Sequence, residues 1–370
     1  MSTPIDAKPT ITDLLARDLL APQSLQQARA LPAQFYTDPR MVALERRAVF
    51  ARSWQLAGHL TRIPEPGDHL VTESPGLPVI VLRDEHGQVR AFHNVCRHRG
   101  GPLATQDGCG ARRLRCRYHG WTYGLDGVLR SAPEMREALD FDPAQVRLPA
   151  LQVRTWQGLI FVAEGDAPDF DAFLAGIAER LGNRRFDDYR FHRRVSYEIA
   201  CNWKVYADNY LEGYHVPHIH PGLNRVLDYR SYVTQVHDWY SFQYSPLESA
   251  EGLYGSGEAL YWFLYPNTML NSLPGRLQTN RIVPLGVDRC RVDFDYYYPH
   301  EEGAQGQARR ASDEAFSDEV QDEDRLICEQ VQAGLASGSY EPGRLNPLRE
   351  NAVHHFQELL RAAWRRDSAA

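Results

Sequence analysis

The sequence predicts an α+β protein of two domains, an all-β domain near the N-terminus and a larger one with helices packed against an antiparallel sheet. Three observations predict it. At 370 residues the chain is too long for one compact core. Residues 55–165 carry short apolar runs, such as Val79-Ile80-Val81-Leu82 and Leu159-Ile160-Phe161-Val162, broken by Gly, Pro and Asp-Gly turns. Beyond residue 200, helical periodicity at 202–215, 311–336 and 350–366 alternates with strand-like runs at 259–264, 278–283 and 289–298. The expected divisions are a helical lead-in at 1–45, the β domain at 46–165 and the second domain at 166–370.

Each element has its own signal. Leu14, Leu15, Leu19 and Leu20 recur at helical spacing, and residues 40–54 read as an amphipathic helix. Asp126-Gly127, between Tyr123 and Val128, marks a hairpin. Residues 168–182 read as a connecting helix, and the tail after Ala362 is expected to fray. No repeat or low-complexity segment interrupts the chain.

Composition excludes several classes. A net charge of −7 with no basic tract argues against a nucleic-acid binder. Asp6, Lys8, Asp13, Arg17 and Asp18 leave no apolar signal-peptide core, and no apolar run is long enough to span a bilayer. A cytoplasmic protein is expected. Six cysteines are too few for a disulfide scaffold. Cys201, Cys290 and Cys328 read as small buried apolar residues, and Cys109 as a free loop thiol.

Cys96-Arg97-His98 and Cys116-Arg117-Tyr118-His119 offer two thiolates and two imidazoles. That is the ligand set of a Rieske [2Fe–2S] centre, in which two Cys hold one iron and two His the other. A tetrahedral zinc could use the same four residues. Each pair here mixes one Cys with one His, whereas zinc fingers put both Cys in one pair, so the cluster is the preferred reading. Gly100-Gly101-Pro102 and Gly120-Trp121 follow the pairs as loop tips where the backbone can approach sulfur closely.

A second constellation comprises Glu212, His215, His220 and Asp324. Two His and one carboxylate form the facial triad of non-haem Fe(II), with positions left open for O2. On a helix over 202–215, Asp208, Glu212 and His215 share a face. Pro217 should end that helix near His215, so that the chain bends and returns His220, or alternatively His218, to the same metal. Asp324 falls inside an apolar helical stripe of Phe316, Val320, Ile327, Val331 and Leu335, where a buried carboxylate needs a partner. Its neighbours Asp322 and Glu323 are expected toward solvent. Glu212 is either the triad carboxylate itself or, preferably, an acid accepting a histidine's second N–H, with Asp208 and Asn209 as further supporting partners.

The string Asn202-Trp203-Lys204…Asp208-Asn209-Tyr210-Leu211-Glu212-Gly213-Tyr214-His215…His220, after the two Cys–His pairs, resembles the α subunits of Rieske non-haem iron ring-hydroxylating oxygenases. The likeness runs from about residue 35 to 360. It implies a β-rich Rieske domain and a helix-grip catalytic domain. It implies iron ligation by His215, His220 and Asp324, His220 being favoured over His218. It also implies a homotrimer, without excluding a separate small subunit, in which Glu212 bridges one subunit's cluster histidine to its neighbour's iron. Most ring dioxygenases carry Asp there, and Glu resembles the carnitine monooxygenase branch. Asn202 to Leu211, Tyr214-His215-Val216-Pro217 and Leu264-Tyr265-Pro266-Asn267-Thr268-Met269 point within the family to the choline and carnitine monooxygenases, which act on quaternary ammonium compounds.

The implied chemistry uses a [2Fe–2S] cluster, mononuclear Fe(II), O2 and electrons from NAD(P)H through a separate flavin/iron–sulfur reductase. The small-molecule substrate would be a quaternary ammonium or methylated amine, hydroxylated or N-demethylated. Val320 and Ile327 beside Asp324, and Trp262 among the aromatics, are the expected pocket residues. Aromatic faces bind quaternary ammonium by cation–π attraction, yet they suit an aromatic acid and a ring dioxygenase as well. A plain Rieske electron carrier would need only the first domain.

Overall fold

The computed structural model describes residues 15, 17–247, 254–300 and 303–368. Contacts divide it into two compact units, one comprising Phe50–Arg193 with Tyr297–His300, the other the remainder.

The first unit is all β apart from short helical turns. Its six-stranded sheet has the order β1-β9-β8-β4-β3-β2, and a small sheet has the order β5-β6-β7. The strands are β1 (Gln55–His59), β2 (His69–Ser74), β3 (Leu77–Arg83), β4 (Val89–His93), β5 (Leu114–Arg115), β6 (Thr122–Tyr123), β7 (Leu129–Ser131), β8 (Ala150–Trp156) and β9 (Leu159–Ala163). The continuous apolar run in β3 follows from burial of both its faces. Ile80 and Leu82 pack with Phe92, Trp121 and Tyr123, while Val79 and Val81 pack with Leu70, Ile160 and Val162 on the other side. The hairpin at Asp126-Gly127 forms as expected, with Tyr123 opposite Leu129 and Gly127 at φ +81°. The connecting helix is instead two short ones, Phe170–Phe173 and Ile177–Leu181, because Gly176 between them adopts φ +85°.

The second unit is built on a seven-stranded sheet of order β10-β16-β15-β14-β13-β12-β11. These strands are β10 (Tyr189–Ile199), β11 (Val233–Val236), β12 (Tyr240–Leu247), β13 (Gly257–Leu264), β14 (Thr268–Leu273), β15 (Arg276–Pro284) and β16 (Cys290–Pro299), with β11 to β15 pairing antiparallel in succession. Its helices include α1 (Arg40–Ala48), α2 (Trp203–Tyr210), α3 (Val216–Ile219), α4 (Leu223–Val226), α5 (Ala304–Ala336) and α6 (Asn351–Ser368). Glu45 of α1 ties α2 down, accepting from Trp203 Nε1 at 2.6 Å and Lys204 Nζ at 2.5 Å.

Four expectations need correction. The lead-in is not one helix: its described part holds single turns at Arg17–Leu20 and Gln34–Thr37, while Leu14 lies outside the described residues. The tail does not fray at Ala362, because Trp364 is fully buried and stacks on Phe35 with ring centres 4.8 Å apart. The helix from 202 stops at Tyr210, and Pro217 lies in the first turn of α3, where its missing N–H costs nothing. The buried face of α5 is not the apolar stripe. It runs through Gly306, Asp313, Ser317, Gln321, Cys328, Gln332 and Leu335; of the expected stripe Leu335 is buried, Phe316, Val320 and Ile327 are half-buried, and Val331 is exposed. Ser317 and Gln321 of that face line a cavity, Asp313 pairs with Arg276, and Gln332 accepts the Asn202 N–H.

Candidate active site

The two Cys–His loops share one backbone plan. Gly100 N–H donates to Cys96 C=O and Gly120 N–H to Cys116 C=O, both at 3.0 Å, with both glycines at φ +73°. A Cβ on Gly101 would lie 2.9 Å from Cys116 Sγ, so only glycine leaves room for that sulfur. Cys96 and Cys116 are both buried. Burial and the neighbouring Cys96 push the Cys116 thiol up, which is the cost of gathering thiolates where no cation compensates them. The His98 and His119 rings lie 4.6 Å apart, and His98 stacks flat on Trp121. His98 Nδ1 is buried with no hydrogen-bond partner among the described residues. An orphaned imidazole nitrogen beside two thiols and a second imidazole is what a [2Fe–2S] cluster would fill.

Tyr123 adjusts this site. Its hydroxyl accepts the Arg97 N–H at 3.0 Å, which leaves its own proton for Cys96 Sγ at 3.3 Å. Hydrogen bonds to cluster sulfurs raise the reduction potential. Tyr123→Phe should therefore lower it by roughly 20–60 mV, the one-electron equivalent of about 0.5–1.5 kcal/mol, measurable by redox titration of the cluster spectrum.

In the second unit, His215, His220 and Asp324 converge from three segments, their ligand atoms all within 4.8 Å of one another. His215 caps the N-terminus of α3, His220 follows its C-terminus, and Asp324 projects from the middle of α5. The two Nε2 atoms are 3.2 Å apart, and Asp324 Oδ1 lies 3.0 Å from that of His220. Both Nδ1 atoms are occupied: His215 donates to Glu212 Oε1 at 2.7 Å and His220 to Glu323 Oε2 at 2.6 Å. Those carboxylates fix the tautomers and aim both Nε2 lone pairs at one point, an arrangement that calls for a cation. Asn209 Nδ2 donates to Asp324 Oδ1 at 2.6 Å. His218 is exposed.

Two expected neighbours lie elsewhere. Asp208 turns away, accepting from Tyr36 OH at 2.6 Å and from Gln357. Glu323, expected in solvent, orients His220. No sequence signal separated it from Asp322, because only the fold tells which side of Asp324 meets a histidine. Burial pushes the Asp208 carboxyl up to about 7. The folded chain then holds a proton that the unfolded chain releases near pH 4, so this group lowers stability as pH rises from about 4 to 7, by up to ~4 kcal/mol. Asp208→Asn should flatten that slope in denaturant titrations at pH 5 and pH 8.

A cavity of about 130 Å³ opens on the triad. Val320 lines it as expected, but Ile327 and Trp262 do not. On β13 successive side chains alternate, so Tyr261 faces the cavity and Trp262 packs against Phe242 on the other side of the sheet. Tyr206, Tyr210, Tyr232, Tyr254, Phe294 and Phe316 supply further aromatic wall, and Tyr210 OH donates to Asn271 at 2.6 Å. Among the described residues no helix is long and apolar enough to cross a membrane.

Known proteins match over nearly the whole chain. Residues 53–156 match the Rieske [2Fe-2S] domain and residues 186–365 the ring hydroxylating alpha subunit (catalytic domain). The chain is 36% identical to the chloroplastic choline monooxygenase of Arabidopsis thaliana, covering 91% of this chain and 83% of that enzyme. It is 29% identical to the carnitine monooxygenase oxygenase subunit of Escherichia coli K12, covering 94% and 98%. A crystal structure of a quaternary ammonium Rieske monooxygenase with an inhibitor superposes with TM-score 0.85 at 29% identity, again over 94% and 98%. With a cluster-shaped pair of loops, a His–His–Asp triad and these matches, the chain belongs to the Rieske non-haem iron ring-hydroxylating oxygenases as an α subunit.

Proposed function

We propose that the protein is the oxygenase component of a monooxygenase that hydroxylates an N-methyl group, or a carbon beside nitrogen, of a quaternary ammonium compound. The observation that carries this reading is the triad opening on a cavity walled by Tyr206, Tyr210, Tyr232, Tyr254 and Tyr261, whose ring faces suit a fixed cation. The choline- and carnitine-oxidising relatives support it.

In this reading Cys96, His98, Cys116 and His119 hold the cluster within a domain spanning 46–165, and His215, His220 and Asp324 hold Fe(II) within 166–370. When bound, the cluster supplies single electrons, drawn from NAD(P)H through a separate reductase, and the iron supplies activated O2. The chain's own residues do the rest. Glu212 and Glu323 keep protons on the two Nδ1 atoms, so that both Nε2 atoms point at the metal. Asn209 steadies Asp324. Tyrosine faces hold the cation beside the triad. Hydroxylation at an N-methyl gives a carbinolamine, which releases formaldehyde and the demethylated amine. A homotrimer would let Glu212 face a neighbouring copy's cluster histidine. The six free cysteines fit the reducing cytoplasm.

The test supplies the purified holoenzyme with NADH, a reductase and separate panels of methylated amines and aromatic acids. Formaldehyde or a hydroxylated amine is the expected product. A phenol or diol from an aromatic acid, with the amines untouched, would overturn the proposal.

A further inference from the structure

We infer that Arg276 receives the end of the substrate remote from the attacked carbon, and that this end is a carboxylate. The substrate is then a zwitterion, with its fixed ammonium toward the triad and its carboxylate on Arg276. This inference rests on the quaternary-amine reading above.

The cavity wall carries charge at two places. Glu212, His215, His220 and Asp324 make one end. Arg276, on β15, is the one other charged residue in the wall among the described residues. Its Nη1 donates to Asp313 Oδ1 at 2.6 Å, and Tyr254 OH donates to the same oxygen at 2.7 Å. The guanidinium also lies over the Tyr254 ring, 5.4 Å from its centre. Its side chain is 8% exposed and that of Asp313 4%.

Helix α5 sets the scale. Asp313 and Asp324 lie on one face of it, 11 residues apart (324 − 313), or about 16 Å at 1.5 Å per residue. Between them Ser317 receives Gln278 Nε2 at 2.8 Å and Gln321 receives Tyr206 OH at 2.5 Å. The wall is thus mostly apolar and aromatic, with Ser317, Gln321 and Gln278 as polar points between the triad and Arg276.

A buried ion pair contributes little to stability, and well-packed apolar residues often replace one without loss. Its place in a cavity wall needs another reason. A guanidinium is always charged, and its planar fork matches a carboxylate in two parallel hydrogen bonds. The trimethylammonium head is left to the tyrosine faces of the wall. Asp313 and Tyr254 hold the fork in place, so little side-chain entropy is lost when the substrate arrives. A substrate ending in a hydroxyl forgoes the bidentate contact.

The experiment compares choline with trimethylammonium carboxylates of increasing chain length. Steady-state kinetics use the reductase-coupled holoenzyme, and calorimetry gives Kd under anaerobic conditions. The expected result is that the best carboxylate outperforms choline in kcat/KM by about 30-fold or more, the scale of a buried charge-pair contact. Arg276→Gln should raise KM and Kd for the carboxylates by a similar factor, leave kcat within a few-fold and erase the preference over choline. The double variant Arg276→Gln/Asp313→Asn leaves no unpaired buried acid and should behave the same way, with cluster spectrum and iron content reporting that it folds. A native preference for choline, or a carboxylate preference that survives in the folded double variant, overturns the inference while leaving the quaternary-amine reading standing. If no quaternary amine binds or reacts, both fall together.

Discussion

His215→Ala should give a protein with the full visible spectrum of its cluster and no turnover. The two metal sites draw on separate units of the chain: cysteine and histidine loops in one, helix ends and α5 in the other. Removing the His215 imidazole leaves one histidine and one carboxylate, too few to complete a facial triad. It also leaves Glu212 without the Nδ1–H that it now receives at 2.7 Å, so a carboxylate once paired is left half-buried. Iron should fall from about three per chain to about two, the cluster pair remaining. The reciprocal variant, Cys116→Ser, should bleach the cluster and spare the triad. His218→Ala, at an exposed position only three residues from His215, should change neither. If His215→Ala loses its cluster spectrum while His218→Ala does not, the two sites are not independent and the assignment of ligands is wrong. Glu323→Gln offers a graded version. The His220 Nδ1–H keeps an acceptor but loses a charged one, and metal affinity should drop by about 10- to 100-fold, read by iron content after dialysis against chelator.

How much of this was legible in the sequence depended on distance along the chain. The Cys–His loops could be read because ligands, turn glycines and buried sulfurs all lie within a few residues, where backbone geometry decides the outcome. His215 and His220 could be read for the same reason, although the bend arises differently. The helix ends early, at Tyr210, and Pro217 starts the next one rather than stopping the last. The three strands of the large sheet read from the sequence, at 259–264, 278–283 and 289–298, fell close to their expected places, since alternation and β-branched or aromatic content are local. Most misses around the iron site were long-range. Periodicity shows which residues of α5 share a face, but not what that face meets. Phe316 and Val320 do reach the cavity, yet the fully buried line is Asp313, Ser317 and Gln321, because the opposing strands present Arg276 and Gln278. Trp262 was misplaced by the strand's two-residue period, its neighbour Tyr261 being the one that faces the cavity. Asp208 shares a helical register with the site but is claimed by Tyr36, a residue more than a hundred positions earlier.

Glu212→Gln should keep both metal sites occupied and still slow turnover by about 100-fold, the upper range for loss of a group that supports a metal ligand. The side chain is well placed for two tasks. One Oε accepts the His215 Nδ1–H, and the other accepts backbone N–H groups of Tyr214 and His215, the latter at 3.0 Å. A glutamine of the same length can keep the first contact through its amide oxygen, so His215 stays oriented, and iron-replete buffer offsets the weaker metal binding expected of a neutral acceptor. What the amide cannot keep is the negative charge, nor the capacity to accept a second imidazole N–H, because its other terminal atom is a donor. If Glu212 only orients His215, the substitution weakens iron binding as Glu323→Gln does and leaves cluster reoxidation in iron-replete enzyme unchanged. If it also receives an imidazole from a neighbouring copy's cluster, the path between the sites is cut at this residue. A single-turnover experiment separates the two. The cluster is reduced, excess reductant is removed, and substrate and O2 are added. In the native protein the cluster spectrum should return to its oxidised form as product appears. In the variant that return should slow by about 100-fold while iron content holds steady. Cluster reoxidation at the native rate would strip Glu212 of any role beyond holding His215.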